Sequence, residues 1–272
     1  MNIDSIKLKL DNFGMIYYHY LRFRETFFPT KFQKVERQRR LERLAFYSQF
    51  IAQSDLVFDI GANYGNRTST FLALGAKVIA LEPQQHCLKY LRKMFGKRVV
   101  IVPKVVSNSL GERQLFYSKT KISSGTASLS KGWIKSVSNS NRFQKEDWNQ
   151  SQRVQSTTMN ELIEKYGLPK FCKIDVEGHE IEVLEDLSKP IESLSFEFTT
   201  PERLEKVFEA IMLLKNLDPN YVFNFCIGEK LSFEKSHWLG YLQMVNELES
   251  NPVFYSEGIY GDIYCKIPQV GK

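Results

Sequence analysis

An acidic residue and a glycine-rich turn stand together near residue 60. The segment Asp59-Ile-Gly-Ala-Asn-Tyr-Gly65 ends a short apolar run that begins at Leu56. Glycine lets the backbone approach a ligand closely, and the helix that follows such a turn presents free N–H groups from its first turn. An acid before the first glycine would repel a pyrophosphate but attract a positively charged ligand. The turn therefore predicts a site for a small cationic ligand.

A second acid narrows the identity of that ligand. Glu82 closes the next apolar run, which starts at Lys77. A carboxylate at the end of a second strand can accept hydrogen bonds from both ribose hydroxyls, which indicates adenosine. A dinucleotide site requires G-x-G-x-x-G, whereas this chain has D-x-G-x-x-x-G. The combination favours S-adenosylmethionine, whose amine and sulfonium are both cationic, over a nicotinamide cofactor.

We expect the cofactor contacts to come from the glycine turn, the start of the next helix and the ends of the following strands. Val106 could cover one face of the adenine, and Ser107 or Asn108 could bond to its edge; an ordinary passage from strand to turn is the alternative. The predicted cofactor-binding residues are Asp59, Gly61, Ala62, Asn63, Tyr64, Gly65, Asn66, Thr68, Glu82, Pro83, Val106, Ser107 and Asp175.

A further group of acids follows another apolar strand, in Lys173-Ile-Asp-Val-Glu-Gly-His-Glu180. If that strand neighbours the first one, its end lies beside the transferred methyl group. Transfer to an alcohol requires a base. Glu177, whose pKa desolvation could raise, and His179, with an ordinary pKa of about 6.5, are equal candidates. A structural role at a helix start is the alternative for each, and Asp175 is predicted to orient cofactor or substrate.

The same acids raise the question of a metal. A cation held by Asp175, Glu177 and another acid is conceivable, but oxygen ligands alone are too generic to define such a site. The four cysteines and four histidines are widely scattered and form none of the close pairs typical of zinc sites. We therefore predict no metal site and expect the cysteines to be buried.

The elements that must position these residues follow a strand–helix alternation after residue 50. Seven apolar strands alternate with helices, which predicts an α/β fold with a mostly parallel sheet, helices on both faces and an antiparallel last pair. Residues 1–50 have helical periodicity and form a predicted helical extension split by Pro29. Within the domain at 51–272, residues 118–156 show no clean period and predict a long, lid-like insert that contains two tryptophans.

Charge and hydropathy limit the classes of partner. Five of the six net positive charges fall in residues 1–50, so a basic, aromatic-rich appendage is predicted instead of a chain-wide nucleic-acid surface. This appendage would suit packing over the domain, a substrate pocket or a homo-oligomer contact. No apolar run approaches the ~20 residues of a membrane span, and the N-terminus lacks the layout of a signal peptide. We expect a cytoplasmic protein.

Three segments together resemble the FkbM-type methyltransferases. They are Val57-Phe-Asp-Ile-Gly-Ala-Asn-Tyr-Gly65, Ala80-Leu-Glu-Pro83 and Lys173-Ile-Asp-Val-Glu-Gly-His-Glu180 followed by Val183-Leu184. The resemblance covers roughly residues 55–200. It implies a class I, Rossmann-like methyltransferase fold, a cofactor held by the glycine turn and Glu82, and O-methylation of a hydroxyl on a sugar, glycan or natural product. The extension lies outside this range and the insert lies outside the three matching segments, so acceptor specificity is expected there.

Other functions remain as alternatives. One is a methyltransferase that acts on nitrogen in a protein or RNA. The Asn/Asp-Pro-Pro-Tyr/Phe signature for amino groups of bases is absent, and Ile174-Asp-Val-Glu177 stands at the corresponding strand end, which argues against nucleic-acid amines. The basic extension leaves RNA contact open. A nicotinamide-dependent oxidoreductase and a non-catalytic binding module are the remaining alternatives.

Overall fold

The computed structural model describes residues 31–118, 123–138, 140–143 and 146–268. The chain divides between Ala45 and Phe46 into two compact units. In the first unit, the described residues belong to helix α1 (Lys31–Tyr47). The predicted helical segment before Pro29 lies outside the described residues.

A seven-stranded sheet forms the centre of the second unit. Its strands in chain order are β1 (Leu56–Ile60), β2 (Lys77–Leu81), β3 (Val100–Val102), β7 (Phe171–Ile174), β8 (Ser193–Thr200), β9 (Val222–Ile227) and β10 (Ile259–Lys266). Their spatial order is β3-β2-β1-β7-β8-β10-β9. Strand β10 runs antiparallel to both neighbours, and the other pairs are parallel. The predicted sheet, with its antiparallel last pair, is therefore present.

Helices follow the strands and cover both faces of this sheet. They are α2 (Asn66–Ala73), α3 (Gln85–Phe95), α5 (Met159–Tyr166), α6 (Glu180–Glu185), α7 (Leu204–Leu217) and α8 (Tyr241–Ser250). Successive strand residues point to opposite faces, so Val57 and Phe58 belong to two different apolar clusters. Because both faces are covered, strands such as β7 are buried at every position. The order reverses between β1 and β7, which leaves a crevice at their carboxyl ends.

A second, smaller sheet was not predicted. It consists of β4 (Val105–Val106), β6 (Gln150–Thr157) and β5 (Gly111–Tyr117), in that order. The 118–156 insert, for which the sequence shows no clean period, includes most of β6 and helix α4 (Lys131–Val137). The first four residues of β6 are polar and solvent-accessible, so the strand has too little apolar alternation to be recognised.

Helix α7 begins at Leu204, three residues after Pro201. The four cysteines are buried and unbonded, as expected. Within the described residues, none of the helices combines the length and the apolar character needed to cross a lipid bilayer.

Candidate functional site

The glycine turn is fixed between the ends of two neighbouring strands. The backbone N–H groups of Gly61 and Ala62 both donate to the carbonyl of Leu81, over 3.0 and 2.9 Å. Gly61 has φ +82°, and a Cβ atom at this position would lie 1.8 Å from the carbonyl oxygen of Asp175. Only glycine allows the turn to pass this close to the end of β7. The turn and the strand ends therefore form one rigid edge.

Asp59 lies directly beneath this turn and is almost fully buried. Its carboxylate accepts a hydrogen bond from the Thr68 hydroxyl of α2. Burial raises the pKa of Asp59, while the Thr68 hydrogen bond and the nearby Lys173 act in the opposite direction. Asp59 lines the cleft above it, whereas Thr68 does not. Thr68 thus orients the Asp59 carboxylate by a hydrogen bond from outside the cleft.

Glu82 is held in place by the backbone around it. Its two carboxylate oxygens accept hydrogen bonds from the N–H of Asn63, at 2.9 Å, and from the N–H of Gln84, at 2.7 Å. Burial raises the pKa of Glu82 to about 7, against the lowering effect of these two bonds and of a hydrogen bond from the Gln84 side chain. A carboxylate has about four acceptor positions, so Glu82 retains capacity for a further donor. The side chain lines the cleft.

A cleft of about 300 Å³ opens at the carboxyl edge of the large sheet. It brings together most residues that were predicted to bind cofactor or act in catalysis. Those that line it are Asp59, Gly61, Ala62, Asn63, Tyr64, Asn66, Glu82, Pro83, Val106, Asp175 and Glu177. Gly65 lies outside the lining because α3 packs against it: a Cβ there would be 2.5 Å from the Phe95 ring. Ser107 and His179 do not line the cleft either.

His179 faces away from the cleft and contacts other side chains. Its Nε2 lies 3.1 Å from the Ser107 hydroxyl, and its Nδ1 lies 3.4 Å from a carboxylate oxygen of Glu182. Burial lowers the pKa of His179, although Glu182 opposes this effect. The geometry therefore does not support the expectation that His179 serves as a base at this site.

Three carboxylates meet on the floor of the cleft. Asp175 and Glu177 follow β7, and Glu197 projects from the neighbouring β8; one oxygen from each lies within 4.8 Å of the others. Burial, and then the charge of Asp175, raises the pKa of Glu177 well above its ordinary value. The pKa of Glu197 is raised in the same way by burial and by Glu177. We refer to Asp175, Glu177 and Glu197 as the acid cluster.

Two basic side chains border the acid cluster. Lys173 is buried in β7, with its Nζ 3.1 Å from Asp175 and 2.9 Å from Asp262 of β10. Although burial lowers the pKa of Lys173, these two carboxylates hold it well above its ordinary value. Arg142 comes from the insert, lies 3.6 Å from a carboxylate oxygen of Glu197 and stacks on the Tyr260 ring.

Sequence reasoning missed several lining residues, and Arg142 shows why. It lies in the part of the chain without periodicity, so nothing in the pattern indicates which strand end it approaches. Arg67 and Glu229 also line the cleft and form an ion pair of 3.1 Å, although 162 positions separate them in the sequence. Such a pairing depends on the order of the strands and has no local signal.

The insert is anchored on the turn that carries Glu177. The Ser128 hydroxyl donates to the backbone carbonyl of Glu177 over 2.6 Å. Trp133 packs so closely on Gly178 that a Cβ there would be 2.2 Å from the indole ring. Trp133 also packs in a buried group with Phe143 and Trp148, with ring centroids 5.3 and 5.8 Å from its own. The insert thus supports the backbone of the acid cluster.

The strand order, its reversal beside β1 and an acidic cleft at that point define a class I, S-adenosylmethionine-dependent methyltransferase. The chain belongs to the FkbM methyltransferase family, since residues 59–223 match the methyltransferase FkbM domain. The predictions of fold class, enzyme class, family and cofactor are confirmed. Among curated proteins, none matches the chain in sequence.

Several solved structures are similar to this chain at low sequence identity. A precorrin-6y C5,15-methyltransferase from Geobacter metallireducens GS-15 is 12% identical, with 84% of this chain and 87% of that chain covered and a TM-score of 0.43. An rRNA methylase from Streptococcus thermophilus is 12% identical, with 83% and 94% covered and a TM-score of 0.39. A TehB-like S-adenosylmethionine-dependent methyltransferase from Corynebacterium glutamicum is 7% identical, with 94% and 99% covered and a TM-score of 0.38.

Proposed function

We propose that this enzyme transfers the methyl group to a hydroxyl oxygen of a sugar, glycan or natural product. The observation that carries the proposal is the carboxylate of Glu177. Its Oε2 is buried and has no hydrogen-bond partner among the described residues, yet the side chain lines the cleft. An unpaired acceptor in a buried place costs free energy, so a group that donates a hydrogen bond is expected to complete it. An acceptor hydroxyl is such a donor.

The part of the cleft lined by Asp59, Glu82 and Val106 suits S-adenosylmethionine, the methyl donor. We call this part the donor half. In this proposal, Glu82 accepts a hydrogen bond from the ribose hydroxyls with its remaining acceptor capacity. Val106, which is buried and lines the cleft, covers the adenine face. Asp59 and Asp175 supply negative potential for the ammonium and sulfonium end. When bound, the cofactor supplies an electrophilic methyl group on sulfur.

The acceptor half of the cleft is formed by the acid cluster. Asp175 and Glu177 orient the hydroxyl, and Glu177 takes up its proton as the new bond to carbon forms. Alignment of the acceptor oxygen with the methyl carbon and the sulfur lowers the barrier most, so rigid placement is the main requirement. The left-handed backbone of Glu177, with φ +52°, and the contacts of its turn with Ser128 and Trp133 provide that placement.

We further propose that acceptor specificity comes from segments outside the shared motifs. Gly125, Ala127 and Leu129 of the 118–156 insert line the cleft, as does Arg142. The insert therefore contributes to the shape of the cleft. For the basic extension at 1–50, a homo-oligomer contact remains our proposal.

The test is methyl transfer from tritium-labelled S-adenosylmethionine to a panel of sugars, nucleotide sugars and polyols. We expect label in an O-methyl ether, identified by NMR of the product. Glu177→Gln should slow single-turnover transfer by about 100-fold, the lower end of what a positioned base contributes, while S-adenosylhomocysteine binding is retained. His179→Ala serves as the comparison and should slow transfer far less. Label found only on nitrogen, or full activity of Glu177→Gln, would contradict the proposal.

A further inference from the structure

The acid cluster has the geometry of a cation site as well as that of a base. Asp175, Glu177 and Glu197 each offer one carboxylate oxygen, and these atoms lie within 4.8 Å of one another. Oxygens bound to one Mg²⁺ at about 2.1 Å, or to one Ca²⁺ at about 2.4 Å, are separated by at most twice that distance. The spread of 4.8 Å reaches this limit for Ca²⁺, and for Mg²⁺ the carboxylates must draw together to within about 4.2 Å. The three side chains come from two adjacent strands, so small rotations of their carboxylates are enough to bring all three oxygens onto one ion.

The acid cluster has fewer basic side chains around it than it needs to balance its negative charge. Lys173 and Arg142 are the basic side chains within 4 Å of these acids in the described residues, and Lys173 is shared with Asp262. Two cations thus oppose four carboxylates: Asp175, Glu177, Glu197 and Asp262. Two formal negative charges remain when all four are ionised. Asp175 is partly exposed, but Glu177, Glu197 and Asp262 are buried or nearly so. Buried carboxylates are stable in the ionised state only when they are paired or coordinate a metal.

An independent observation concerns Glu177 alone. The residue is only 9% exposed, and its Oε2 has no hydrogen-bond partner among the described residues. The φ of +52° is unusual for glutamate, and the Ser128 hydroxyl and Trp133 contacts hold the turn in this conformation. The fold therefore maintains a buried, unsatisfied carboxylate oxygen at the cleft. A cation would satisfy it.

We propose that Asp175, Glu177 and Glu197 bind one divalent cation of the Mg²⁺ or Mn²⁺ type. Oxygen-only ligands and a partly open cleft suit such ions, which usually keep several water molecules. The sequence expectation of no metal site left the third acid unnamed, because its identity as Glu197 depends on the pairing of β7 with β8.

The inference rests on the proposed function and specifies how that function is carried out. A cation on the floor of the cleft would ligate the acceptor oxygen and lower the pKa of its hydroxyl. A carboxylate that ligates through one oxygen keeps the other for a proton, so Glu177 can serve in both roles. The favoured acceptors are then those with two adjacent oxygens, such as vicinal diols, which chelate a cation in place of two water molecules.

The test is a titration of the full-length protein with Mn²⁺, monitored by EPR after treatment with EDTA and dialysis. Free hydrated Mn²⁺ gives a sharp six-line signal that is lost on binding. We expect one equivalent of bound Mn²⁺, which an excess of Mg²⁺ displaces. Glu177→Gln and Glu197→Gln should each weaken binding by ~10-fold or more, since even supporting residues of metal sites contribute that much.

Glu229→Gln is the matched control for these variants. Glu229 lines the same cleft, but its side chain is largely exposed and lies outside the acid cluster. The Glu229→Gln variant should bind Mn²⁺ with the same affinity as the unmodified protein. Affinity for S-adenosylhomocysteine in EDTA shows whether each variant is folded; if one of the two cluster variants fails this check, the other supplies the result.

The outcomes separate the cation from the proposed function. Absence of bound Mn²⁺, or equal Mn²⁺ affinity in the cluster variants and the unmodified protein, would overturn the cation site and leave O-methylation intact. Stoichiometric Mn²⁺ binding that depends on Glu177 and Glu197 would support the site, even if the methyl label were found on nitrogen. In that case the proposed function fails and the cation site remains.

Discussion

At the scale of single residues, the protonation state of Glu82 affects how tightly the cleft binds the cofactor. Its pKa of about 7 means that the carboxyl is protonated in a large share of molecules at neutral pH. Ribose hydroxyls donate more strongly to a carboxylate than to a neutral carboxyl group. A ligand that prefers the ionised form must release the proton before it binds. Cofactor affinity is therefore linked to pH.

We predict that affinity for S-adenosylhomocysteine falls as the pH is lowered from 8 to 6. Below about 7 the carboxyl of Glu82 is mostly protonated in the free protein, so binding must displace a proton. Glu82→Gln should remove this contribution to the pH dependence. It should also weaken binding at pH 8 by roughly tenfold or more, the value of a hydrogen bond to a charged group.

Isothermal titration calorimetry at pH 6, 7 and 8 measures both effects. Glu229→Gln, an acid of the same cleft with an exposed side chain, should keep the pH dependence. Equal affinities of Glu82→Gln and the unmodified protein at pH 8 would show that Glu82 does not contact the ligand.

At the scale of elements, the strands of the large sheet can be predicted from the sequence, whereas the positions of residues in the surrounding turns and loops cannot. The seven strands of the large sheet are apolar runs, because burial on both faces leaves little choice of residue type. Glu177 and His179 were indistinguishable as bases in the sequence. The left-handed backbone at Glu177 and Gly178 separates them, since it directs one into the cleft and the other toward Ser107. Nothing in the local sequence around Arg142 indicates that this residue lines the cleft.

The contact between the insert and the strand end leads to a prediction at this scale. Gly178→Ala would place a methyl group 2.2 Å from the Trp133 ring, in a backbone conformation that alanine disfavours. We expect helix α4 to detach in part, with faster amide hydrogen exchange at 131–137 and no change in β1. Exchange measured by mass spectrometry tests this expectation.

Gly132→Ala is the corresponding control. Gly132 lies in helix α4, and its new methyl group would meet only the ends of the Arg203 and Ser130 side chains, at 3.3 and 3.8 Å. Alanine favours the helix there, so exchange should slow or stay unchanged. If both alanine variants exchanged alike, Trp133 would not be what anchors the insert.

At the scale of the whole molecule, the buried side chain of Lys173 connects the cleft to strand β10, two strands away in the sheet. Lys173 of β7 reaches past β8 to Asp262 of β10 and also holds Asp175 beside the cleft. Lys173→Met would leave the nearly buried carboxylate of Asp262 and the partly exposed carboxylate of Asp175 without this cation. We expect a loss of about 3–5 kcal/mol in the free energy of unfolding, the typical effect of removing one partner of a buried ion pair.

Urea unfolding followed by circular dichroism measures this loss. Lys170→Met provides the comparison, because Lys170 pairs with Glu192 where both side chains are about one-third exposed. Such pairs contribute at most about 1 kcal/mol. A loss for Lys173→Met no larger than that for Lys170→Met would mean that the buried network does not hold the strands together.

The acid before the glycine turn and the acid after β2 together support S-adenosylmethionine as the ligand of the cleft. Calorimetric titration of the full chain with S-adenosylhomocysteine and, separately, with NAD distinguishes the two kinds of ligand. We expect one equivalent of bound S-adenosylhomocysteine and no measurable binding of NAD. Tight binding of NAD without affinity for S-adenosylhomocysteine would contradict this expectation.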